Sequence, residues 1–256
     1  MKVALIQQNT IWSNPKENCR HLDDVLHLLR TAVDLIVLPE MFSTGFVTNP
    51  KTSAEKSPYY SLRWMKRVAK KNNCAVAGGV SVSDGGSFYN RFFFVKPDGT
   101  YVQYDKRHLF SYGGETDEYT PGDQRVIVEW RGVRFLLSVC YDLRFPVWLR
   151  NKNDYDVILC IASWPAVRRF AWDTLCSARA IENQCYMCAV NRIGIDPVCE
   201  YNGGTRIVNP YGVNLALIDD DVEGIVTADL DLSALNVYRE KFPLMADADN
   251  FCILAE

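Results

Sequence analysis

Histidine is scarce, with three in 256 residues, and a single Cys-x-x-Cys pair occurs, at Cys185-Tyr186-Met187-Cys188. A Cys/His metal centre needs further ligands at repeating spacing, so the pair reads as two buried thiols in a core strand and no metal is expected. Long hydrophobic runs are missing as well: nothing approaches the roughly 20 apolar residues that cross a bilayer. The opening run Val3-Ala4-Leu5-Ile6 is too short for a signal-peptide core, which makes a cytoplasmic location the expectation.

Neither sign of charge dominates. Against 31 Asp and Glu stand 28 Lys and Arg, a formal net charge of -3. That balance gives no electrostatic footprint for a nucleic-acid backbone or an anionic membrane, and a small soluble partner is the expectation. There is no Pro/Gly/Ser-rich linker and no internal repeat, so one α/β domain over residues 1–256 accommodates the length.

Apolar residues make up 48% and charged residues 23%, as in an ordinary globular chain. The nine cysteines are odd in number and sit in runs such as Val157-Ile158-Leu159-Cys160-Ile161-Ala162, so reduced thiols are expected rather than a disulfide framework.

Lys2 to Gln8 reads as a strand. Asn14-Pro15-Lys16-Glu17 reads as a helix start with Asn14 as N-cap and Glu17 completing a capping box. Leu22, Val25, Leu26, Leu29 and Val33 then recur at helical spacing. The apolar run after Asp34 closes a β-α-β unit with a parallel pair. A helix over about 57–71 leads into three successive strands, 74–82, 88–95 and 100–104, joined by short turns and so antiparallel, which makes the sheet mixed. From Arg125 the theme repeats: two strands about the Arg131-Gly132 turn, a helix from about Phe145, a strand over 156–162, a helix over 170–183 and a strand over 186–191. Three short strands, 205–208, 213–217 and 224–230, close the domain. Two sheets with outer helices fit this layout.

Three polar residues each end an apolar strand: Glu40 after Leu35-Ile36-Val37-Leu38-Pro39, Lys106 after Tyr101 to Asp105, and Cys140 after Phe135 to Val139. If these strands are neighbours, a carboxylate, an ammonium and a thiol meet in one cleft. Such a set suits acyl transfer, with Cys140 as nucleophile, Glu40 as base and Lys106 supplying charge to the oxyanion. A turn after Cys140 would aim the Tyr141 backbone N–H at the same oxygen. A neighbouring carboxylate raises a thiol's pKa and a neighbouring ammonium lowers it, so the resting proton position stays open here. Each residue alone also has a bland reading, as core thiol or strand-end surface charge.

The surrounding segments narrow this. Leu38-Pro39-Glu40-Met41-Phe42-Ser43-Thr44-Gly45-Phe46, Tyr104-Asp105-Lys106-Arg107-His108-Leu109-Phe110 and Val139-Cys140-Tyr141-Asp142-Leu143-Arg144-Phe145-Pro146 resemble, in order and spacing, the three catalytic motifs of the nitrilase (carbon-nitrogen hydrolase) superfamily. The family's Glu, Lys and Cys fall on Glu40, Lys106 and Cys140. Ser163-Trp164-Pro165, Tyr238 to Pro243 and Asp247-Ala248-Asp249 look most like bacterial omega-amidases.

The resemblance implies a four-layer α-β-β-α sandwich with mixed sheets, a homodimer or higher homo-oligomer formed through outer helices, and neither metal nor organic cofactor. It implies a second active-site glutamate, for which Glu115 and Glu118 are candidates; Glu115 fits the omega-amidase spacing better. The implied substrate is a 2-oxo-dicarboxylate monoamide such as 2-oxoglutaramate or 2-oxosuccinamate. Aromatic candidates for the pocket wall are Phe42, Phe46, Tyr112 and Trp164, against a packing role for each.

An anionic substrate needs a cation at its far end, and Arg144, Arg168 and Arg169 are candidates. Against that, Arg144 can pair with Asp142, and Arg168-Arg169 opens a helix and can be surface. His108 raises the alternative of a Cys-His enzyme, opposed by a purely structural histidine. Two other functions stay in play: a hydrolase of N-carbamoyl amino acids or another small amide, and a non-catalytic scaffold regulated through reactive thiols.

Overall fold

The structure is a computed structural model that describes residues 1–253. The first half runs β1 (Lys2–Gln7), α1 (Pro15–Leu26), β2 (Leu35–Val37), β3 (Glu55–Lys56), α2 (Tyr60–Asn72), β4 (Ala75–Asp84), β5 (Ser87–Val95) and β6 (Tyr101–Asp105). The second half continues β7 (Ile127–Trp130), β8 (Val133–Val139), α3 (Pro146–Leu149), β9 (Val157–Ala162), α4 (Arg169–Glu182), β10 (Tyr186–Asn191), β11 (Ile193–Ile195), β12 (Glu200–Asn202), β13 (Arg206–Val208), β14 (Asn214–Leu217), β15 (Gly224–Asp229) and α5 (Leu232–Lys241).

Two mixed sheets result, so the chain is α/β. One has the order β15-β1-β2-β4-β5-β6 with β3 beside β4, and the other β14-β13-β10-β9-β8-β7. Each has a parallel centre, β1-β2-β4 in the first and β8-β9-β10 in the second, and antiparallel flanks. Alternate residues of the first sheet's strands divide between two cores, as the two-residue period of a strand requires. Val3, Leu5, Val37, Phe92 and Phe94 face the second sheet, where Phe94 and Phe135 have ring centroids 5.8 Å apart. Ala4, Ile6, Ile36, Val76 and Phe93 face away from it and pack under Cys19 and Leu22 of α1 and Met65 and Val68 of α2. On the second sheet, Trp172, Cys176 and Ala180 of α4 are fully buried in the core that holds Ile158, Cys160 and Met187.

The Asn14 cap forms, its side chain accepting from the Glu17 N–H at 3.2 Å, but the box stays half made because the Glu17 carboxylate turns to Arg20. Helix α1 also stops short of the apolar pattern. The N–H groups of Leu28 and Leu29 bond three residues back, to Val25 and Leu26, and Val33 reaches the core from a loop. The segment after β8 is a tight turn, Cys140–Arg144, followed by only four helical residues. Helix α5 was not expected: Leu235 is its one buried residue, so it carries no apolar stripe. All nine cysteines are free, with Cys185 and Cys188 fully buried. No helix among the described residues is long and apolar enough to cross a membrane.

Candidate active site

Glu40, Cys140 and Ser163 follow the C-terminal ends of the parallel strands β2, β8 and β9, the edge where α/β sheets leave room for ligands. The backbone at Glu40 comes close to β4, and Gly79 makes that possible: a Cβ there would lie 2.9 Å from the Met41 nitrogen and 3.0 Å from the Glu40 Cα. Lys106 comes from the first sheet's far flank, one residue past β6. Its N–H donates to the Asn90 carbonyl and its carbonyl accepts from the Gly122 N–H, so both sides of its peptide are held.

The Lys106 ammonium is fully buried between two carboxylates. Nζ donates to Glu40 Oε1 at 2.9 Å and to Glu115 Oε2 at 2.8 Å. Glu40 also accepts from Asn90 Nδ2 at 2.7 Å on Oε1 and from the Ser163 N–H at 2.7 Å on Oε2. Glu115 takes a second bond from Asn90 Nδ2 at 2.8 Å and one from the Phe110 N–H at 2.6 Å. Burial opposes charge on Lys106, but Glu115 and Glu40 outweigh it and hold its pKa well above the usual lysine range. For Glu115, burial pushes the carboxyl pKa up; Lys106 opposes this and Glu40 adds to it. Glu118 lies elsewhere, paired with Lys51 at 2.7 Å toward solvent.

Cys140 lines the same cavity as Lys106 and Ser163. Its φ of 46 is in the left-handed region that a cysteine rarely adopts, a strained strand-to-turn corner. Burial drives its thiol pKa well above the ordinary value, Glu40 pushes further in the same direction and Lys106 pulls back. The balance of these effects favours the neutral thiol over the thiolate.

Asp142 ties this corner to the lysine segment. Its Oδ2 accepts from the Val139 N–H at 2.9 Å and the Tyr104 hydroxyl at 2.7 Å, and its Oδ1 accepts from the His108 N–H at 3.0 Å. His108 Nδ1 is a further 2.8 Å from Oδ1, and the ring stacks on Phe145 with centroids 3.8 Å apart. The expected Asp142–Arg144 pair is thus not made. Arg144 instead lies over the Trp164 ring and lines the cavity, as does Arg168. Arg169 points elsewhere, to Asp173 and Asp220 at 2.7 and 2.6 Å.

Of the aromatic candidates, Phe46 and Trp164 line the cavity, and Tyr141, expected there through its backbone N–H, lines it as well. Phe42 does not: its fully buried ring packs on Trp64 on the helix side of the first sheet, 5.7 Å between centroids. The chain turns over at Met41, where φ is 45, and this sends Phe42 away from the cleft. Tyr112 is also outside the lining, 83% exposed at the rim against Phe110.

Two contributors escape the motifs. Asn90, in β5, bridges both carboxylates. The β11–β12 hairpin brings Asp196, Val198, Cys199 and Tyr201 to one wall. Asn90 sits in step with Phe92 and Phe94 on the inner face of its strand, and a polar residue there was the available signal. No group of three or more His, Cys, Asp or Glu among the described residues is placed to hold a metal ion.

A profile described as carbon-nitrogen hydrolase matches residues 2–240. The chain is 46% identical over 252 residues to "Omega-amidase YafV" of Escherichia coli, with 98% of each chain covered. It is 32% identical over 250 residues to "2-oxoglutaramate amidase" of Bacillus subtilis, with 96% of each covered. Among solved structures, a CN-hydrolase superfamily protein of Xanthomonas campestris with an arsenic adduct in its active site matches with a TM-score of 0.96 at 37% identity, covering 99% of this chain and 98% of that one.

Proposed function

The chain belongs to the carbon-nitrogen hydrolase family, within the nitrilase superfamily, and from that premise we propose that it is an omega-amidase. Its substrates are 2-oxo-dicarboxylate monoamides such as 2-oxoglutaramate and 2-oxosuccinamate. The observation that carries the reading is the fully buried Lys106 held between Glu40 and Glu115 at the cavity that Cys140 lines. Three buried charged groups have no use in a scaffold. The named relatives support the choice of substrate.

Because the neutral Cys140 thiol is favoured, attack needs a base. Glu40 Oε1 already accepts two bonds, from Lys106 and Asn90, while Oε2 accepts one, from Ser163. A carboxylate oxygen has two lone pairs, so Oε2 retains one for the thiol proton. In this scheme Sγ bonds to the amide carbon, and the oxyanion is met by Lys106 Nζ and the Tyr141 N–H. Glu40 passes its proton to the departing nitrogen, the C–N bond breaks and ammonia leaves a thioester. Water then attacks that carbon, giving its proton to Glu40, and the 2-oxo acid departs as the proton returns to Cys140. Glu115 holds Lys106 in place and orients the amide nitrogen.

We read the architecture as a four-layer α-β-β-α sandwich, supported by the helices packed on the outer face of each sheet. We also propose a homodimer through the outer helices, supported by exposed Ile181, Val237 and Phe242 on α4 and at α5. A cytoplasmic setting suits nine free thiols.

The test is ammonia release by the purified protein from 2-oxoglutaramate, beside an N-carbamoyl amino acid, an aliphatic nitrile and the Cys140→Ala variant. Release from the oxo-amide, lost in the variant, is the expected result. Turnover of another compound instead discards the substrate, and silence on all of them favours the thiol-regulated scaffold.

A further inference from the structure

Arg144 and Arg168 line the cavity, and among the described residues neither is paired with a carboxylate. Each is held by aromatic faces instead. Arg144 lies 4.8 Å from the Trp164 centroid, and Arg168 lies 5.3 Å from Phe110 and 5.4 Å from Tyr112. A guanidinium stacked on a ring keeps its in-plane N–H groups free, and that planar fork matches a carboxylate with two parallel bonds.

Asp196, the acid on the same wall, is already committed. Its Oδ1 accepts from the N–H groups of Val198 and Cys199 at 2.9 and 2.8 Å, and its Oδ2 from the Tyr201 hydroxyl at 2.8 Å, with Arg192 Nη1 at 3.6 Å. The outer cavity therefore has positive charge to spare. Arg144 is tethered four residues past Cys140 in the same turn. Arg168 arrives from a separate turn after β9, fixed by its own N–H on the Pro165 carbonyl at 3.0 Å and by Trp164 Nε1 on its carbonyl at 2.9 Å. It stands on Phe110 and Tyr112 of the segment after Lys106, and the Phe110 ring packs in turn on Tyr141 beside Cys140, 5.1 Å between centroids.

We propose that Arg168 determines specificity by binding the substrate carboxylate at the end opposite the scissile amide. This rests on the amide-hydrolase reading above, so the test has one arm that needs no turnover. The kinetic arm compares kcat/KM for succinamate, an anionic amide, with that for butanamide, its uncharged counterpart of equal chain length. Arg168→Met is expected to lower the preference for succinamate roughly 10 to 100-fold, mainly through KM, the value of a lost hydrogen bond to a charged group. Arg168→Lys should restore part of it. A preference that survives Arg168→Met, or that vanishes only in Arg144→Met, overturns the assignment.

The second arm measures 2-oxoglutarate binding by calorimetry to Cys140→Ala with and without Arg168→Met. Loss of affinity in the double variant is expected; equal affinity, or no binding to Cys140→Ala, overturns the anchor. A protein that binds 2-oxoglutarate through Arg168 but hydrolyses neither amide would sink the omega-amidase reading and leave the anchor standing.

Discussion

Glu40 and Glu115 are bridged twice, once by Lys106 Nζ and once by Asn90 Nδ2, and both carboxylates are shut off from solvent. Two buried carboxylates repel each other, and the paired donors are what let them share one site. The lysine supplies the charge. The amide of Asn90 supplies a fixed direction, since its two N–H bonds point to Oε1 of each acid.

Asn90 should therefore act as a positioning residue. Asn90→Ala is expected to lower kcat by roughly 10²-fold, the cost of an ångström-scale misplacement, with KM less affected and the acidic limb of the pH profile moved upward because Glu115 loses a donor that favours its charged form. Stopped-time ammonia assays across pH 6 to 9 check this. An unchanged profile would reduce Asn90 to a packing role.

The strained corner at Cys140 predicts a stability order. Glycine adopts a φ of 46 without the Cβ cost that alanine bears there, so Cys140→Gly should be more stable than Cys140→Ala by about 1 kcal/mol, although both are expected to be inactive. Chemical denaturation of the two variants measures the difference. Equal midpoints would mean the corner relaxes once the thiol is gone.

His108 bonds Asp142 through Nδ1 and stacks on Phe145, and it is not among the residues that line the cavity with Cys140, so it is not placed for proton transfer there. His108→Gln should lose far less than the roughly 10² to 10⁴-fold that removal of a general base costs, whereas Glu40→Gln should lose that much or more. The reverse result would make this a Cys-His enzyme.

Buried thiols set an alkaline limit. Burial raises the pKa of Cys74 to about 11 and those of Cys19, Cys160 and Cys188 to about 12, against 9.0 when unburied. Above pH 9 the unfolded chain gives up these protons and the folded one keeps them. Stability is thus whole below pH 9 and falls as pH rises toward 12, by at most about 1.4 kcal/mol per thiol and pH unit. Urea midpoints at pH 8 and pH 10 should separate clearly; identical midpoints contradict the burial.

Glu40, Lys106 and Cys140 were legible chiefly through the three segments around them, which resemble the family's catalytic motifs; closing a strand, each alone also allowed a bland reading. The pocket wall was less so. Phe42 is misplaced by the reversal at Met41, which a count of residues from Glu40 does not reveal. Asn90 left one signal, a polar residue in step with Phe92 and Phe94, but both faces of β5 are apolar beyond it, with Phe93 and Val95 on the other side, so no alternation tells which face is inner. Hairpin β11–β12 lacks an apolar run altogether, and its position is fixed by contacts distant in sequence.

That hairpin hangs from the opposite half of the molecule. Asn9, just past β1, bridges to Ile193, and a Cβ on Gly194 would fall 2.2 Å from Asn9 Oδ1. Glu40, Lys106 and Cys140 stand at strand ends, while this wall is a short ribbon tied at Ile193, whose N–H donates to the Gln8 carbonyl, and at Asn202, whose carbonyl accepts from the Asp221 N–H. This part of the cavity wall thus comes from a stretch of chain separate from Glu40, Lys106 and Cys140, and exchange of residues 193–202 between relatives offers a second way, beside Arg168, to retune which amides enter without disturbing those groups.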